Sequence, residues 1–116
     1  MLHIDMYQLC YLQSNKILKG DIMIKIIAKF FIKENELDNA LNLCERLVVE
    51  TRKEDGCISY EVYQDKSYKN QIVILEEWKN QNCLDKHSQA DHFKYYVPQI
   101  VELSKDKTTN FYTKII

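Results

Sequence analysis

Apolar and polar positions alternate along Ile24–Ile32. Ile24, Ile26, Ala28, Phe30 and Ile32 share one face, while Lys25 and Lys29 share the other with Ile27 and Phe31. A period of two predicts a β-strand, and apolar residues on both faces predict cover on both sides. The period then changes. Leu37, Ala40, Leu41, Cys44, Leu47, Val48 and Thr51 follow the i, i+3, i+4, i+7 rhythm of an amphipathic helix. Asn35 is its predicted N-cap. Glu36 and Asp38 suit the positive end of the helix dipole, Arg52 and Lys53 suit the negative end, and Gly56 supplies the stop.

Residues 57–65 and 71–79 return to a period of two and predict a hairpin across the polar loop 66–70. In the first strand Ile58, Tyr60, Val62 and Gln64 alternate with Ser59, Glu61 and Tyr63. In the second, Ile72, Ile74, Glu76 and Trp78 oppose Val73, Leu75 and Glu77. A carboxylate and an indole on one otherwise apolar face is the first sign of a site. Asn80 is predicted to cap a short helix holding Leu84 and His87, and Asp91 to cap another holding Phe93, Tyr96, Val97, Ile100 and Leu103. Pro98 lacks an N–H, so that second helix should kink or restart there. Residues 108–116 are predicted to form the last strand.

The order β-α-β-β-α-β is the split, ferredoxin-like α+β pattern, an antiparallel sheet with its helices on one side. The other sheet face would carry Ile27, Phe31, Val73 and Leu75, too much apolar surface to leave in water, so a two-fold homodimer is expected. The domain is expected to occupy residues 23–116. Residues 1–22 lack a clean period, and two readings fit them. Lys19-Gly20-Asp21 is encodable by AAA GGA GAT, a purine-rich ribosome-binding sequence just upstream of the Met23 codon, which would make the segment a translated leader. Alternatively it is an N-terminal arm that packs on a neighbour.

Composition narrows the class. A chain of 116 residues fits one domain, and 46% hydrophobic with 28% charged residues is ordinary for a globular protein. A net charge of -1 and no basic stripe argue against nucleic acid and anionic membrane as partners. Four cysteines without a CxxC pair suit a reducing compartment, and nothing reads as an export signal or a bilayer span, so the expected address is cytoplasmic. With two glycines there is no phosphate-cradling loop.

Three pieces taken together carry a resemblance. Leu75-Glu76-Glu77-Trp78-Lys79, Leu84-Asp85-Lys86-His87 and Asp91-His92-Phe93-Lys94 resemble the signature half of the antibiotic biosynthesis monooxygenase (ABM) superfamily. There a strand ending in Glu-x-Trp precedes helices bearing a histidine and a His-Phe pair. The Glu54-Asp55-Gly56-Cys57 helix exit and the opening strand fit the same family, and the resemblance covers about the whole of residues 23–116. It implies a dimeric ferredoxin-like domain. Many members oxygenate quinol-type aromatics with dioxygen and without metal or flavin, and others isomerise or degrade small metabolites.

Such chemistry needs a base to turn the substrate into an electron-rich anion, an apolar aromatic pocket, and donors for the developing oxyanion. His87 is the leading base, with His92 and Glu76 as helpers or alternatives; burial would raise the Glu76 pKa. Trp78, Phe93, Tyr63 and Tyr96 are the expected substrate-binding aromatics. Each also has a structural reading. A histidine on a short helix caps or packs, Trp78 fills a core, Glu76 pairs with a backbone N–H, and most tyrosines pack or make dimer contacts. Cys83, His87 and His92 place a thiol and two imidazoles close in sequence, a zinc-like set, but no fourth ligand stands out and no metal or cofactor is expected. Haem-degrading relatives carry an axial histidine where Val97 stands here, and their first-strand asparagine is missing near Ala28 and Lys29. The expected function is cofactor-independent oxygenation of a small quinol or polyphenol. An isomerase of a small oxygen-rich signalling metabolite and a non-catalytic dimeric binding module are the alternatives.

Overall fold

The computed structural model describes residues 22–116. Both readings of residues 1–22 fall outside these residues, Ile22 apart. The elements run β1 (Ile24–Ile32), α1 (Leu37–Thr51), β2 (Cys57–Gln64), β3 (Gln71–Trp78), α2 (Gln81–Gln89), α3 (Asp91–Glu102) and β4 (Ser104–Thr113). The four strands form one sheet in the order β2-β3-β1-β4, with every neighbouring pair antiparallel. This is the ferredoxin-like α+β fold, its second crossover divided into two helices. No helix among the described residues is long and apolar enough to cross a membrane.

The core lies between the sheet and the helices. The predicted inner row of β1 is buried throughout, and Ala40, Cys44 and Leu47 of α1 pack onto it. The opposite row alternates between exposed lysines and half-buried Ile27 and Phe31. Loop and turn polar groups then lock the sheet ends. Asp65 Oδ2 accepts from Ser67 N and Tyr68 N at 2.8 Å, which shapes the hairpin loop. Asn70 Nδ2 donates to the carbonyls of Ile32 and Lys33, tying that loop to the end of β1.

Several local expectations need correction. Glu36, not Asn35, is the N-cap of α1; Asn35 takes a left-handed conformation (φ 69°), which asparagine tolerates well. Asp91 is the first residue of α3, and Ala90 caps it. Helix α3 continues through Pro98 rather than restarting there, with the one backbone bond that Pro98 cannot donate left out. Strand β4 starts at Ser104 and ends at Thr113, earlier than the sequence implied, because it follows α3 directly. A register shift between Cys57 and Ser59 throws Ile58 out of phase with Tyr60 and leaves it exposed.

Candidate functional site

Strand β3 delivers two members of the site by simple alternation. Glu76 and Trp78 both point into the core, and both are completely buried. The indole Nε1 donates to Glu76 Oε1 at 2.9 Å, so each answers a polar need of the other. Opposite Glu76 in the register stands Tyr60 of β2, also buried, whose ring meets Trp78 edge-on at 6.5 Å.

Helix α2 supplies His87. Asn80 caps the helix as predicted, its Oδ1 accepting from Cys83 N at 2.9 Å, and this sets the helix direction. His87, in the last turn, is fully buried in an aromatic cage. Its ring centroid lies 4.5 Å from Trp78, 5.1 Å from Phe93 and 5.5 Å from Tyr60. His92, in the first turn of α3, is 6.0 Å from His87 and sits at the rim.

Glu54 joins the two imidazoles. Its Oε2 lies 2.6 Å from His87 Nδ1 and 2.7 Å from His92 Nε2. A carboxylate can only accept, so both ring nitrogens must carry their protons toward it. In a neutral His87 the lone pair is then on Nε2. Burial works to raise the Glu54 pKa, but hydrogen bonds and charge interactions with His87 and His92 outweigh it and hold the carboxyl below its ordinary value. The turn that carries Glu54 is fixed at several points. Arg52 Nε donates to the Tyr60 carbonyl at 3.1 Å, and Lys79 N donates to the Gly56 carbonyl at 2.8 Å. Gly56 has φ 83°, and a Cβ there would overlap the Cys83 side chain. Only glycine lets the turn close against α2 and bring Glu54 to His87.

The structure thus brings together His87, His92, Glu76, Trp78 and Phe93. It does not bring Tyr63 or Tyr96. Tyr63 lies 52% exposed beside Val73 on the outer sheet face. Tyr96 packs edge-on against Tyr95 and lines a surface groove between α1 and α3 with Asn39 and Arg46. Two residues of the site were not singled out from the sequence. Glu54 sits in an aperiodic turn and was named only as part of the Glu54-Asp55-Gly56-Cys57 helix exit, with no role attached. Tyr60 was visible only as an inward residue of a strand. Its hydroxyl has no hydrogen-bond partner among the described residues. Burial, then the nearby Glu76, Cys44, Cys57 and Glu54, push its pKa well above 10, so it stays a donor. Two thiols are chemically quiet: burial pushes Cys44 up to about 12, and burial with the Glu54 and Glu76 charges pushes Cys57 up to about 11.

Among the described residues, the group able to hold a metal ion is Glu54, His87 and His92. Cys83, the thiol of the zinc-like set read from the sequence, packs instead against Gly56.

A ferredoxin-like sheet whose inner face ends in a Glu-Trp pair, facing a histidine anchored by a carboxylate, defines a class of small α+β domain with a candidate acid–base site. The antibiotic biosynthesis monooxygenase (ABM) profile matches residues 23–99, and the chain belongs to that family. A conserved protein from Methanosarcina mazei is 38% identical, with 90% of this chain and 99% of that one aligned and a TM-score of 0.78. The crystal structure of an antibiotic biosynthesis monooxygenase is 33% identical, covering 80% of this chain and 99% of that one, with a TM-score of 0.76. An uncharacterized protein of Synechocystis is 29% identical over 84 residues, 72% of this chain; the match spans 57% of that relative's length.

Proposed function

We propose that this domain is a monooxygenase that works without metal or flavin on a small quinol or polyphenol, with His87 as the base. Family membership supports oxygenation as the reaction class. The observation that carries the assignment of roles is the 2.6 Å contact of Glu54 Oε2 with His87 Nδ1 inside an aromatic cage. Glu54 fixes the tautomer and stabilises the imidazolium that forms when Nε2 takes the phenolic proton. The resulting electron-rich anion transfers an electron to dioxygen directly. Trp78 and Phe93 form aromatic walls, and the Tyr60 hydroxyl is the donor for the developing oxyanion. His87, Trp78 and Tyr60 are all buried, so a substrate must displace a covering side chain to reach them.

The outer sheet face belongs to the same proposal. Ile27, Phe31, Val73 and Leu75 are half-buried there beside exposed Tyr63 and Tyr112, and a second copy of the sheet would cover them.

The test is oxygen uptake against a panel of hydroquinones and naphthalene-diols with EDTA present. The proposal expects uptake that survives chelation and falls roughly 100-fold or more in His87→Ala. Uptake unchanged in the variant would transfer the base role to Glu76 or His92. No uptake with any quinol would favour isomerase chemistry or a binding role.

A further inference from the structure

One carboxylate oxygen serving two imidazoles is more than a single base needs. Glu54 has side-chain exposure of 15%, and no lysine or arginine among the described residues pairs with it; its ionic partners are the two histidines. Two imidazole nitrogens and one carboxylate oxygen converge there in a mostly dry place. These three donors have the composition of a 2-His-1-carboxylate metal site, which leaves further positions for water.

We propose that Glu54, His87 and His92 form a binding site for a divalent transition-metal ion of the zinc class. The donor atoms lie within 4.8 Å of one another and come from the turn after α1, from α2 and from α3. Metal bonds of about 2.0–2.1 Å in tetrahedral geometry set ligand atoms about 3.3 Å apart. The present contacts of 2.6 and 2.7 Å must therefore open slightly. His87 is walled in, but the His92 side chain is 17% exposed, so the rim can give, and the same opening admits the ion. Trp78 and the cage fix the His87 ring in the way that second-layer contacts fix metal ligands.

This site goes beyond the oxygenase reading and is tested apart from it. An ion on His87 Nδ1 would move the ring proton to Nε2, so His87 could not then act as a base. Metal and metal-free turnover exclude each other.

The full chain, stripped with EDTA and then freed of chelator, is titrated with Zn²⁺ by calorimetry and with Co²⁺ by absorption and fluorescence. Trp78 is the sole tryptophan, and its ring lies 4.5 Å from His87. Saturable binding of one ion per chain is expected, with Trp78 emission quenched by Co²⁺. Affinity should fall at least tenfold in His92→Gln and in Glu54→Gln and stay unchanged in Cys83→Ser. If Glu54→Gln does not fold, His92→Gln at the rim decides alone. No saturable binding, or binding untouched by His92→Gln, would overturn the site. Either result leaves oxygen uptake in EDTA, the test of the oxygenase reading, to stand or fall separately.

Discussion

Glu76 and Glu77 are neighbours on β3, yet they live in different solvents. Glu76 faces the helices, is completely buried and accepts the Trp78 indole N–H. Glu77 faces outward and pairs with Lys25 at 3.2 Å, with the lysine side chain half exposed. Water screens the outer pair, which contributes about 0–1 kcal/mol. Nothing screens the inner one. The same contrast holds for whole faces. The inner face concentrates a few polar groups that answer one another: Glu76 to Trp78, and His87 to Glu54. The outer face interleaves half-buried apolar residues with solvated charge, a pattern suited to another protein surface rather than to chemistry. One strand thus turns a buried polar pair inward with one parity and half-buried apolar residues beside solvated charge outward with the other.

The contrast can be broken most severely on the inner face. Trp78→Ala should lower the unfolding free energy by about 3–5 kcal/mol, read by denaturant titration, because it opens a cavity and takes the indole N–H from Glu76. On the outer face, Leu75→Glu should leave the circular dichroism of the protomer intact. It should weaken the expected dimer at least roughly tenfold by analytical ultracentrifugation. A wild-type chain that sediments as a monomer would remove the interface reading of that face.

Tyr60→Phe sharpens the comparison in another way. Its hydroxyl is buried without a partner among the described residues, so removing it should leave stability unchanged or raise it by up to ~1 kcal/mol. Oxygen uptake should nevertheless fall roughly 10- to 100-fold if the phenol serves the oxyanion. A fall in both would mark Tyr60 as a packing residue. The smallest effect belongs to Lys25→Ala, which should change stability by less than about 1 kcal/mol and act still less at high salt.

The reach of sequence reasoning follows from the same physics. The inner rows of β1 and β3 were legible because strand alternation forces Ile24 to Ile32 and Ile72 to Trp78 into phase, and Glu76 with Trp78 came with them. Helix α1 was legible from its apolar stripe. The N-cap at Glu36 was not, because a left-handed Asn35 moves the helix start by one residue. Ile58 was misplaced because a bulge in β2 resets the alternation, and no local signal announces it. Among the site residues, His87 and His92 stood out by residue type and motif. Glu54 did not, because its role arises only where three segments converge, 33 and 38 residues apart along the chain. Tyr63 and Tyr96 were credible by type alone, and parity and helix face carry them elsewhere.

The oxygenase reading of the site depends on Glu54 holding His87 with its proton on Nδ1. The chain has three histidines, so their ring nitrogens are separable by long-range proton–nitrogen correlation in the metal-free protein at neutral pH, with His3→Ala and His92→Gln giving the assignments. For the neutral ring the account predicts the His87 proton on Nδ1 and a bare Nε2. A proton on Nε2 in the resting protein would contradict it, because His87 would then have no lone pair to offer a substrate.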